Sequence, residues 1–358
     1  MMTYCERLKS ALRHSFSMIF HFALVVLFGV LFAVLGTGSA SAHVKWFCAY
    51  NVAGQPEGLE NVLCQDFEVL IFVALVWLFA GCLIEKTSVG DAMLRSMDRV
   101  TGGLQANTEL MVRATVFFFF VSLWAIGGII LTPELKSTSA LIGPIQLVII
   151  ACLLSRRTLP ISALGIATLF GIAVHDYGIF HLADYPIFLG IAAYLALTGL
   201  QKKFFGIEAI DIMRYATAIT LMWASVEKWA YPQWSYPIFV THPGITFGFD
   251  QDFYMRAAGV VEFTLAFALL WTPLVRRCAA AILAGMFIAA CFEFGKIDLI
   301  GHSGIIAVLF SIIADSRRVA ENDRRVPILA PATLCAALAV TLFVYYAGHS
   351  YLFNTTVL

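Results

Sequence analysis

The chain has 358 residues, 60% of them apolar and 14% aromatic, and only 13% are charged. Soluble domains carry about a quarter charged residues, so a mean hydropathy of +0.85 excludes a water-soluble globular fold. With 23 basic and 23 acidic residues cancelling, nucleic-acid binding by bulk charge is excluded as well. The remaining class is a polytopic membrane protein. Backbone polar groups cannot go unpaired in hydrocarbon, so membrane spans are helices or closed barrels. Barrel strands alternate polar and apolar residues over about ten positions, whereas the apolar runs here are continuous and longer, so the fold class is all-α.

A span needs about 20 mostly apolar residues. In chain order the expected spans are 17–37, 68–84, 114–132, 141–155, 159–175, 185–200, 214–231, 257–273, 278–292, 300–314 and 328–347, ten or eleven transmembrane helices. The first follows a basic start and runs into GTGSASA before His43. Residues 1–42 therefore read as a secretory signal peptide cut after Ala40-Ser41-Ala42, or as an uncleaved anchor helix. Cleavage makes His43 the new N-terminus, an arrangement that resembles the copper "histidine brace" of periplasmic copper carriers and of the membrane-bound methane monooxygenase subunit. An interfacial histidine behind an anchor helix is the plainer alternative. Residues 43–112 hold an external loop, one span and a cytoplasmic connector, in which 91–100 forms either a short amphipathic helix or a solvated link. Cys48 and Cys64 share that external loop and can form a disulfide in an oxidising compartment.

With a cytoplasmic N-terminus, 18 of the 23 basic residues fall inside, leaving Lys45, Lys136, Lys228, Arg256 and Lys296 outside. That split follows the positive-inside rule, and it sets a multi-pass protein in a bacterial inner membrane with its C-terminus in the periplasm. Trp46, Trp229, Tyr231, Trp234 and Tyr236 on the outer side suit an interfacial aromatic belt.

An internal repeat is the most specific pattern. LWAIGGIILTP at 123–133 parallels MWASVEKWAYP at 222–232, SRR at 155–157 parallels VRR at 275–277, and HDYGIFHL at 175–182 parallels FEFGKIDL at 292–299. Residues 113–200 and 214–315 then form two parallel four-helix units, and 326–358 add a final span. The second unit has a longer external loop at 232–256.

The second unit, with its R…VEKW…P start and VVEFTLAFALLWTPLVRR helix, resembles the DoxX family of small four-helix membrane proteins. The resemblance implies a component of a membrane redox system, alongside other redox subunits in the lipid bilayer, with Lys228 and Glu262 at the family's Lys and Glu positions. The first unit departs from it: Gly127, Gly128 and Ile129 replace Val226, Glu227 and Lys228, and Gln146 stands near the Glu262 position.

Charged groups within spans cost about 2.5–3.5 kcal/mol each at mid-helix and are usually paired or functional. Glu262, Glu227 and Lys228 are the candidate catalytic cluster, and Glu293, Lys296 and Asp298 candidate cofactor contacts. His43, His175, Asp176, His181 and His302 are candidate metal ligands, for copper by the brace resemblance. Imidazole and carboxylate near the outer face can bind a transition metal or exchange protons with a quinone headgroup. The competing reading is structural, with Glu227 or Glu262 paired to Lys228 and Glu293 to Lys296. Three function classes follow: a redox component with a quinone- or metal-interacting site, a transporter or proton pathway, and a non-catalytic scaffold. Whether the chain is an enzyme stays open. No hydrolase or nucleotide-binding signature is present.

Overall fold

The computed structural model describes residues 44–318 and 326–355, and over these the chain is all-α. The longer helices are α1 (Gln65–Glu85), α2 (Ser88–Ala106), α3 (Thr108–Ile126), α4 (Ile142–Cys152), α5 (Leu159–Tyr177), α6 (Pro186–Leu200), α7 (Ala209–Ala230), α8 (Gln251–Ala268), α9 (Pro273–Phe294), α10 (Lys296–Ala314) and α11 (Val326–Phe353). Each expected span from 68–84 onward falls on one of these helices, and the 17–37 span lies outside the described residues.

Among the described residues, six helices are long and apolar enough to cross a membrane: α1, α3, α5 with the turn before it, α9, α10 and α11. α4 and α6 are apolar but shorter, while α7 and α8 are interrupted by charged residues near their ends. The chain is a multi-pass membrane protein.

Helix ends explain the boundaries that differ from the sequence pattern. The 257–273 run is broken because Pro273 opens α9 and Thr272 is its extended N-cap, the position where proline is best tolerated. α8 starts six residues earlier than the apolar pattern because Asp250 accepts hydrogen bonds from the amides of Asp252 (3.0 Å) and Phe253 (3.1 Å). The 91–100 stretch extends into the full α2, capped by Thr87 and laid against α1, α9 and α10.

Eight helices close a ring. α3 neighbours α4, α4 neighbours α5, and α5 neighbours α6; likewise α7, α8, α9 and α10 follow one another. The circle is completed by α6 against α7 and α10 against α3; α1 packs on α8 and α9, and α11 on α1, α7 and α8. Gly178 and Gly295 make the same sharp turn after the third helix of each set, at φ +85° and +81°, a region where a Cβ is strained.

One end of the ring is clasped by arginines. Arg277, fully buried, donates to Asp98 (2.5 Å), to Thr101 (3.2 Å) and to the Ile313 carbonyl (2.8 Å), tying α2 to α9 and α10. Arg276 pairs with Asp315 at 3.0 Å, and Arg317 bridges Asp315 and Asp211. These acids offset the cost of placing two arginines at the positive end of the α9 dipole. The SRR motif has no such role: Arg156 meets Glu109 at 3.4 Å and stays half in solvent.

Two expectations are corrected. Cys48 and Cys64 are free thiols. Trp229, Tyr231 and Trp234 are not an interfacial belt but interior packing, with Tyr231 stacked on Trp234 at 4.1 Å between ring centres.

Candidate functional site

The other end of the ring encloses a cavity of about 300 Å³. Its walls are mainly apolar, from α3, α6, α7, α8, α9 and α10, and the 232–256 loop roofs it with Trp234, Ile238, Phe239 and Ile245. That loop is folded into three short helical turns rather than extended. The one-turn helix Val44–Phe47 adds Lys45 and Trp46 to the wall.

Three charged groupings face this space. Lys228, on the last turn of α7, meets Glu262 on α8 at 2.8 Å. Lys45 donates to Asp184 at 3.0 Å and meets Glu227 at 2.6 Å, with all three side chains nearly sealed from solvent. The Asp298 carboxylate lies 2.9 Å from Nδ1 of His302, one helical turn on along α10. Two ammonium groups thus face four carboxylates. The second oxygens of Asp184 and Glu227 are buried with no hydrogen-bond partner among the described residues. Burial opposes the Lys45 charge, but Asp184 and Glu227 outweigh it and hold the ammonium above the usual lysine range.

The candidate residues therefore separate. Glu262, Glu227, Lys228, Asp298 and His302 all line the cavity. Glu293 and Lys296 do not: Glu293 is exposed, and the two form no ion pair. His175 and Asp176 pair with each other at 3.0 Å on a separate exposed surface beside Lys136. His181 is buried behind the cavity wall among Tyr50, Tyr177 and Tyr185. Burial first, then the Lys45 charge, pushes its imidazole down to about 4, so it is neutral at physiological pH. The five expected metal ligands are thus not brought together, and His43 lies outside the described residues.

Sequence reasoning missed two partners. Lys45 reads as one of five outer basic residues and nothing local marks it, since both its acids are more than 130 residues away. Cys291 was legible in principle: it lies seven residues before Asp298 across the Gly295 turn, and a donor atom of each of Cys291, Asp298 and His302 lies within 4.8 Å of the others.

The fold and site define a class: a multi-pass helical membrane protein with a partly open, mainly apolar-walled cavity that holds ion pairs. Compared with protein-family models, with curated proteins and with solved structures, the chain finds no match.

Proposed function

We propose that the chain is a component of a membrane redox system and binds a quinone-type headgroup in this cavity. The observation that carries the reading is the Lys228–Glu262 pair, 2.8 Å apart and facing the mainly apolar walls of the cavity between the two sets of helices. Small-molecule sites are largely apolar with a few convergent polar groups, at about 300–1,000 Å³. A quinone ring suits the aromatic and aliphatic walls, and its carbonyl accepts from the Lys228 ammonium. Glu262, paired to that ammonium, is positioned to exchange the proton that quinone reduction requires.

The resemblance of residues 214–315 to the DoxX family supports the redox assignment, since it supplies this Lys and Glu. Two parallel four-helix repeats are supported by the matching neighbour order of α3–α6 and α7–α10 and by the shared glycine turns. The basic-residue split supports an inner-membrane location, with the cavity end toward the periplasm.

Equilibrium binding of a short-chain quinone to the chain in lipid nanodiscs, read by tryptophan fluorescence, tests the proposal. Saturable binding is expected, weakened at least tenfold in Glu262→Gln and in Lys228→Met, which is about 1.4 kcal/mol or more. Absence of saturable binding, or full affinity in both variants, overturns it and leaves the scaffold reading.

A further inference from the structure

We infer that Cys291, Asp298 and His302 form a zinc-type metal centre in the cavity wall, with its fourth coordination position open to the cavity. A donor atom of each lies within 4.8 Å of the others, and Asp298 and His302 are buried. A tetrahedral zinc ion, with bonds of about 2.0–2.3 Å, holds neighbouring ligand atoms about 3.3–3.6 Å apart. The His302 nitrogen and Asp298 oxygen already stand at 2.9 Å, a few tenths of an ångström short of that spacing, and the Cys291 sulfur, within 4.8 Å, draws in by at most about 1.2–1.5 Å. One thiolate, one imidazole and one carboxylate form a mixed donor set that suits zinc.

The chain builds this grouping from two helix ends. Gly295, at φ +81°, turns α9 directly into α10, so the last turn of α9 faces the first turns of α10. Asp298 and His302 share one face of α10 at i and i+4. The His302 ring is held between Trp46 and Phe287, at 5.1 and 4.8 Å between ring centres. That packing fixes its orientation, as the surroundings of a metal ligand must.

Charge supplies a second, independent argument. Lys45 serves Asp184 and Glu227, and Lys228 serves Glu262. Among the described residues Asp298, 1% exposed, is the one cavity carboxylate with no lysine. A buried carboxylate requires a cationic partner, and a divalent ion bound beside it meets that requirement. Binding converts the Cys291 thiol to a zinc-bound thiolate, and the thiol proton leaves to solvent. Three protein ligands plus an exchangeable fourth is the pattern of a catalytic rather than a structural zinc site.

This centre rests on the proposed reading of the cavity as a ligand site only for its open position, and its test does not use a quinone. Full-length chain without a polyhistidine tag, in detergent, is stripped with a chelator, equilibrated with zinc chloride and desalted, and metal is measured by mass spectrometry. One zinc per chain is expected, with about one proton released per ion bound. Cobalt in place of zinc should give a thiolate-to-metal charge-transfer band in the near ultraviolet. Cys291→Ser should abolish that band, and Asp298→Asn and His302→Gln should each weaken zinc binding at least tenfold. Glu262→Gln should keep the full zinc content while losing quinone, so the two proposals fail separately. Wild-type chain that takes up no stoichiometric zinc, or a cobalt band that survives Cys291→Ser, overturns the metal centre. Either result leaves Asp298 with His302 as its partner, at 2.9 Å, and no metal between them. The wild-type measurements decide the question even where a variant does not fold.

Discussion

Replacing Lys45 with methionine keeps most of the side chain's volume and removes its charge. In the native protein this ammonium is 2% exposed, 3.0 Å from Asp184 and 2.6 Å from Glu227, and the second oxygen of each acid has no hydrogen-bond partner among the described residues. Stripping one partner from a buried ion pair costs about 3–5 kcal/mol, because the remaining charge stays desolvated. The loss has a ceiling, since the segment carrying Lys45 can let go before the ring unfolds. Elsewhere that segment is tied by the Tyr231 hydroxyl to the Gly54 carbonyl, by the Tyr346 hydroxyl to the Glu57 carbonyl, and by the Glu57 amide to the Ala230 carbonyl, each at 2.8 Å. At about 1 kcal/mol apiece, these bonds limit the effect to local opening. Hydrogen exchange of residues 45–62 in Lys45→Met should therefore accelerate by about a hundredfold, corresponding to about 3 kcal/mol. Helices α3 to α6 should keep their protection. Adding Asp184→Asn and Glu227→Gln to the same chain should recover much of the loss, since no unpaired charge then remains. A Lys45→Met chain that exchanges like wild type would refute the argument, because it would mean the carboxylates were never desolvated.

Three further outcomes follow from the same structure. His181 is held at about 4 against an ordinary 6.5, so the folded chain refuses a proton that the unfolded chain accepts; stability should be full above pH 6.5 and fall by about 3 kcal/mol as pH drops toward 4. His181→Asn should flatten the melting temperature over that window, and an unchanged pH slope would contradict the assignment. Arg277→Met removes donors to Asp98, Thr101 and the Ile313 carbonyl at a buried position, so it should cost about 3 kcal/mol and open α2 to limited proteolysis; a protease-resistant α2 would show that the clasp is not what holds it. Cys48 and Cys64 should both be found as thiols by mass spectrometry without reduction, and Cys48, its thiol pushed up by burial, should alkylate slowly at pH 7 and faster at higher pH; a 48–64 disulfide in the native chain would count against the packing of that segment.

The helices were legible because apolar runs of this length leave the backbone no other way to satisfy its hydrogen bonds. The ends were less so: the start of α8 depends on the Asp250 cap and the start of α9 on Pro273, and hydropathy registers neither. Within the site, Glu262, Lys228, Asp298 and His302 could be anticipated from charges inside apolar helices and from i, i+4 spacing. Lys45 could not, because its role comes from docking a distant segment, and sequence separation carries no record of that contact. His175 and Asp176 misled for the opposite reason. They align with residues of the second set, yet their helix end faces outward, and they pair with each other in water. The aromatic residues after α7 read as an interface belt, but the 232–256 loop folds back and buries Tyr231 and Trp234 beside the cavity.

The unequal helix ends explain why the polar groups gather on one side of the cavity. α3 stops at Ile126, whereas α7 continues to Ala230 and so carries Glu227 and Lys228 on its final turns. Under the proposed repeat the first set has Ile129 at the Lys228 position and Gln146 near the Glu262 position, and the Gln146 amide donates to the Ile129 backbone carbonyl at 2.8 Å. The first set thus makes this link by a neutral side-chain-to-backbone hydrogen bond, and the second by an ion pair between side chains. Both serve packing equally well, and a half-buried ion pair adds little stability over a neutral substitute. Packing alone therefore gives no reason for the charged version. What the ion pair adds is a donor and a proton acceptor facing a mainly apolar cavity, and the proposed polar headgroup would use both.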